Sequence, residues 1–222
     1  MFPKLFVSLS LLLLTTFSAS GGELVKMVSF SPTDLLFSKV DDYDLVRIGD
    51  HPLAGEPGKP LLPSVSYHLV LPPTAELSEV LVISSESAEL PGEYLIYPAQ
   101  EPKPVSSNQP PLLVEPDETV YSSREAYPGT ISEHLGAGSM GGYRIASLNL
   151  YPLQYLPSER RLRLYTRIDL RIVYTEGLVS AAPKSERQIA VFGEGVRYMV
   201  SNPEDLTRWA PPVRTWPSES KA

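Results

Sequence analysis

Gly55-Glu56-Pro57-Gly58-Lys59-Pro60-Leu61-Leu62-Pro63 runs into residues 64–71, where Val65, Tyr67, Leu69 and Leu71 alternate with Ser64, Ser66 and His68. Proline fixes φ and glycine permits tight turning, so 55–63 reads as a rigid turn. The period-two alternation that follows reads as a strand with one face buried. Outward in both directions the same grammar repeats. Short strands are expected over residues 24–30, 34–39, 43–48, 77–84, 93–97, 119–121, 130–135 and 143–150, separated by proline and glycine turns. The clearest lies at 161–174: Leu162, Leu164, Ile168, Leu170 and Ile172 fall on one parity, and Arg161, Arg163, Arg167, Asp169 and Arg171 on the other. That is a long edge or bent strand with one wet face. No amphipathic helix competes, and 23 prolines against 42% hydrophobic residues point to a turn-rich β-fold. The fold class is all-β, an antiparallel β-sandwich.

Residues 1–20 read as an export signal: Lys4 precedes an apolar run over 5–17, and small residues follow from Ser18 to Gly22, with a cut after Ser20 or Gly21. The apolar run is shorter than the ~20 residues that span a bilayer. Export permits disulfides, yet cysteine is absent from all 222 residues, so the core must stabilise the fold. The formal charge of −7 becomes −8 when Lys4 leaves with the signal, which argues against nucleic acid and anionic membranes as partners.

Two segments depart from the strand grammar. Residues 98–116 carry six prolines and read as an extended, solvated connection. Residues 177–195 are small and polar at first and read as a linker between the sandwich, 21–176, and a second unit, 196–222. There, residues 196–200 read as an apolar strand, and Asn202-Pro203-Glu204-Asp205 carries helix-start chemistry, with Asn202 as the cap. A strand leading into a helix opens an α/β domain, and the residues to 222 are too few to build one, so this unit reads as a truncated β-α start that would not fold alone.

Several motifs resemble one family. Gly55 to Pro63 with its strand, Gly92-Glu93-Tyr94-Leu95-Ile96-Tyr97-Pro98-Ala99-Gln100, Tyr121 with Tyr127-Pro128, and Gly142-Tyr143-Arg144-Ile145 before Leu148-Asn149-Leu150-Tyr151-Pro152 resemble, in order and spacing, the N-terminal propeptide of the gingipain-type cysteine peptidases. The resemblance covers residues 24–176. Residues 197–206, with Trp216, resemble the first strand and helix of that family's catalytic domain. The family's catalytic histidine and cysteine cannot be carried over: the chain has no cysteine, and its histidines are His51, His68 and His134. The resemblance implies a jelly-roll-like sandwich, secreted or on the cell surface, that assists folding of the peptidase and occludes its cleft, with the cognate catalytic domain as partner. Arg124, in Tyr121-Ser122-Ser123-Arg124-Glu125-Ala126-Tyr127-Pro128, is the candidate inhibitory residue. Lys184 and Arg187 are processing candidates, since exposed linkers are where proteases nick. The alternative is a structural or adhesive cell-surface sandwich with no peptidase to regulate.

Other features carry less. The arginine stripe of 161–171 could dock on an acidic surface or simply be solvated. Asp41, Asp42 and Asp44 offer oxygen ligands for calcium without a complete spaced set, so no cofactor is expected. Residues 136–142 are glycine-rich but open no helix, which makes them a hairpin connection and not a phosphate loop. No Gly-x-Ser-x-Gly elbow nominates a serine hydrolase.

Overall fold

A computed structural model describes residues 20–102 and 113–215. The leader, apart from Ser20, lies outside these residues, as do 103–112 of the proline-rich connection and Trp216. The strands are β1 (Gly21–Ser29), β2 (Leu35–Val40), β3 (Tyr43–Ile48), β4 (Leu53–Ala54), β5 (Leu62–Pro63), β6 (Val65–Leu71), β7 (Glu76–Glu89), β8 (Ser132–Met140), β9 (Tyr143–Leu150), β10 (Leu153–Leu156) and β11 (Arg161–Thr175). Two helices join them, α1 (Glu118–Tyr121) and α2 (Glu186–Met199).

β11 organises the first sheet. It pairs antiparallel with β7 from Arg163 to Thr175, while the opposite edge pairs with β10 over Arg161 to Leu164 and with β1 over Arg167 to Thr175. The long strand with one wet face is therefore central and not an edge: 15 residues are enough to serve two shorter partners end to end. Its parity is as the sequence predicts. Ile168, Leu170 and Ile172 are fully buried, against Leu69, Leu71, Ala146, Leu148 and Leu150 of the second sheet, whose order is β6-β9-β8. The two sheets make an antiparallel β-sandwich around that cluster.

A second cluster continues the core. Leu162 and Leu164 of β11, Leu153 and Tyr155 of β10, Val46 and Ile48 of the β2–β3 hairpin, Leu62 and Ile96 pack together. β8 and β9 are joined at Gly141 and Gly142, whose φ values of 59° and 95° are those of a two-residue hairpin turn with left-handed backbone conformation at both positions. The connection expected over 136–142 is thus shorter, and Gly136 to Met140 belong to β8.

Three local expectations are corrected. Residues 119–121 are helical, because the Asp117 carboxylate accepts from the Thr119 and Val120 N–H groups and nucleates α1. Residues 93–97 form no strand but run beside the β2–β3 hairpin and the Gly55–Pro63 turn, with a parallel bridge from Ile96 to Asp44. The apolar strand expected at 196–200 is the last turn of α2 and its cap, and the helix expected at Pro203 is a single 3₁₀ turn. α2 begins inside the expected linker because Ser185 and Gln188 form a reciprocal capping box: the Ser185 hydroxyl accepts from the Gln188 N–H, and the Gln188 side chain accepts from the Ser185 N–H.

Residues 196–209 do not stand apart. Val196, Val200, Leu206 and Trp209 are buried against Val70, Tyr143 and Ile145, which occupy the outer parity of β6 and β9. The second sheet is therefore covered on both faces at this end, while the same outer face further along carries polar residues: His68 and Ser147 hydrogen-bond there at 2.9 Å.

Candidate functional site

Several of the stretches that carry the family resemblance, 55–63, 92–100, Tyr121 and Tyr127-Pro128, come together around the loop that holds Arg124, whereas Tyr143 and Ile145 pack under the C-terminal segment. The turn at 55–63 comes first. Gly58 N–H donates to the Ala99 carbonyl and Leu61 N–H to that of Tyr97, while Ala99 N–H donates to Lys59. Gly58 has φ of 83°, which favours glycine, and a Cβ there would lie a tight 3.2 Å from the Glu115 carbonyl oxygen. The Gly58 carbonyl then accepts from Asp117 N–H at 2.9 Å. Asp117 caps α1, so the position of the turn is handed directly to the segment that leads into Arg124. Gln100 ties the base of the proline-rich connection, its amide donating to the Val114 carbonyl and accepting from the Val114 N–H.

α1 is held by Tyr121, whose hydroxyl donates to the Ile96 carbonyl at 2.7 Å and whose ring meets that of Tyr155 edge-on. Burial, first of all, pushes the Tyr121 phenol far above its usual range, which keeps it a donor at any physiological pH. Beyond the helix, Ser123 spends all its polar groups. Its N–H donates to Val120, its carbonyl accepts from Ser158 N–H, and its hydroxyl accepts from Glu125 N–H at 3.0 Å. Four residues after Ser123, Tyr127 exchanges two backbone hydrogen bonds with Tyr155 of β10, at 2.7 and 2.8 Å. Arg124 and Glu125 are exposed between these two anchor points. Beside them lies a groove of about 330 Å³, lined among others by Glu56, Tyr127, Pro128, Glu133 and Tyr151.

The other candidates fall elsewhere. Lys184 is held by its backbone, the N–H donating to Pro212 and the carbonyl accepting from Arg214 N–H, and Arg187 is exposed in the first turn of α2. The arginine stripe is answered by carboxylates from its neighbours: Arg163 faces Glu89, Arg167 faces Glu86 and Asp169, and Arg171 faces Glu23. Asp44 does not turn outward with Asp41 and Asp42. It accepts from Leu95 N–H and pairs with Lys39. Among the described residues no group of three or more His, Cys, Asp or Glu is placed to hold a metal ion. Nor is any helix among them long and apolar enough to cross a membrane.

Sequence reading missed Ser123, Asp117 and Gln100 as the residues that hold the loop. Asp117 was legible, since an aspartate followed by Glu-Thr-Val is helix-start chemistry; the partners of Ser123 and Gln100 are distant in sequence and left no local mark.

The described residues thus form an antiparallel sandwich with the Arg124 loop anchored at both of its ends. The family profile Propeptide_C25 matches residues 28–204, and the chain belongs to that family. Two solved structures share the fold. One is described as the complex of Porphyromonas gingivalis RgpB pro- and mature domains, with TM-score 0.63 and 23% identity, covering 85% of this chain and 95% of that one. The other concerns zymogenic latency of gingipain K from Porphyromonas gingivalis, with TM-score 0.54 and 21% identity, covering 72% of this chain and 95% of that one. A search of curated proteins returned no match.

Proposed function

We propose that this chain is an exported pro-domain that assists folding of a gingipain-like cysteine peptidase and holds it latent, by laying the Arg124 loop across the active-site cleft. The observation that carries the reading is the mounting of Arg124: an exposed guanidinium on a short loop fixed by Ser123 on one side and the Tyr127–Tyr155 pair on the other. A loop ordered before binding loses little entropy on entering a cleft, and an arginine presented this way fills an acidic specificity pocket as a product would. Family membership supports the class of partner, as does the solved RgpB complex, whose pro-domain is paired with its mature domain. Export follows from the leader at 1–20, and N-terminal sequencing of the secreted protein would show a mature start at Gly21 or Gly22.

The test is inhibition of a C25 peptidase catalytic domain, of cleavage preference for arginine, by residues 21–222. Arg124→Ala is expected to weaken inhibition by at least about a hundredfold, the loss that follows removal of a charge-paired anchor. Equal inhibition by the variant would remove Arg124 from the cleft. Absence of inhibition by a folded wild-type chain would leave the structural or adhesive reading.

A further inference from the structure

The C-terminal segment covers the open edge of the second sheet, a contact that the Arg124 loop does not involve. β6 is the outer strand of its sheet, so the N–H and C=O groups on its far side lack strand partners, and such edges are sites of unwanted pairing. Ser201 N–H donates to the His68 carbonyl at 2.8 Å. Asn202, fully buried, then accepts from Val70 N–H at 2.8 Å and donates to the Val70 carbonyl at 3.0 Å. A side-chain amide thus stands where a neighbouring strand would. Glu204 reaches the other sheet and takes a hydrogen bond from Lys26 of β1 at 2.9 Å. Trp209 stacks edge-on against Tyr174 at the end of β11.

The attachment is tight in shape, but α2 contributes few buried side chains to it. A Cβ on Gly141 would lie 2.2 Å from the Phe192 ring, one on Gly142 2.9 Å from Pro211, and one on Gly193 2.7 Å from the Tyr143 hydroxyl. Yet α2 buries only Val196, leaves Val191 63% and Tyr198 84% exposed, and contains Gly193 and Gly195, each about 1 kcal/mol less favourable than alanine in a helix. Apart from Val196, α2 itself therefore adds little to a hold made mainly by that residue, Val200, Asn202, Leu206 and Trp209. Gly177 to Pro183 form the covalent tether to the sandwich, mostly exposed, with Leu178 63% exposed.

We propose that residues 185–209 are a detachable latch, docked on the β6 edge and on Val70, Tyr143 and Ile145, and that a cut within 177–183 is the event that makes it removable. While the tether is intact its effective concentration is of order millimolar, and the latch stays shut. After a cut it binds only at the concentration of the protein itself. Release uncovers an apolar patch and an unpaired strand edge on a domain whose two core clusters are elsewhere.

The test uses the chain with residues 179–182 replaced by the recognition sequence of a site-specific endoprotease. Before cutting, little apolar dye is expected to bind. After cutting, the fragment should co-elute at micromolar concentration, leave on dilution, and dye binding should rise while strand circular dichroism persists. Added peptide 185–215 should reverse the dye signal, and the same peptide with Asn202→Ala should need about tenfold more or higher, as expected when a buried donor and acceptor lose their partner. Retention of the fragment at nanomolar concentration would overturn the proposal. So would unfolding of the remainder on release, or equal potency of the two peptides.

Discussion

The side chain of Asn202 is hydrogen-bonded to both the N–H and the carbonyl of Val70, a residue 132 positions earlier, and neither group meets water. Its amide also donates to Asp205. Asn202→Ala leaves a buried donor and a buried acceptor on β6 without partners, and the expected destabilisation is about 2–4 kcal/mol in urea unfolding. In hydrogen exchange the Val70 amide should be protected like a central-strand amide in the wild type and exchange much faster in the variant. Fast Val70 exchange in the wild type would contradict the pairing.

Gly141 and Gly136 make a controlled pair. Both have positive φ, 59° and 92°, but only at Gly141 would a Cβ collide, with Phe192 of α2; Gly136 faces open space. Gly136→Ala is expected to cost about 1–2 kcal/mol from backbone strain alone. Gly141→Ala should cost more, because Phe192 must also move, and it should loosen α2, seen as increased protease cleavage between 185 and 199. Equal midpoints for the two variants would mean that α2 is not docked on the hairpin.

Tyr121→Phe removes the hydroxyl that the Ile96 carbonyl accepts. A loss of about 1 kcal/mol is expected, with faster exchange of the amides at 123–126, since α1 is then held only by its cap and ring contact. The phenol also predicts an alkaline trend. Burial raises its folded pKa above the ordinary value of 10, so its contribution to stability is complete below that value and declines as pH rises beyond it. The variant should show a shallower loss of stability as pH rises above about 10, the free phenol value.

Glu204 predicts a small effect at the acid end. Its carboxyl is held below the usual range, first by the hydrogen bond from Lys26. A lowered folded pKa gives stability that is present above the unfolded value of 4.5 and lost as pH falls through the folded one. With the Glu204 side chain 62% exposed, solvent screening limits this to about 0.5 kcal/mol. Glu204→Gln should flatten the acid limb by that amount, measured as the difference in unfolding free energy between pH 6 and pH 3, about one and a half units either side of the glutamate range.

The strands were legible because their signal is local. Tyr43–Ile48 and Tyr143–Leu150 fall where alternation and turns put them, and the β11 parity assigns every buried residue from Leu162 to Ile172. Residues 196–200 misled because a short apolar run has no period of its own. The capping box at Ser185 was the available helix signal, and the apolar outer parity of Val70, Tyr143 and Ile145 was a sign that something must cover that face.

The amino-acid sequence by itself determined the all-β class, the wet and dry faces of the strands and the exposure of Arg124, which rest on near neighbours, and the family, which rests on the order and spacing of motifs along the chain. Tertiary structure alone decided that β11 is central, that Ser123 and Tyr127 are anchored to Ser158 and Tyr155, and that Asn202 completes the edge of β6. Those contacts join residues that are far apart in the chain. A backbone donor or acceptor carries no mark of which distant partner will satisfy it until the sheets have formed.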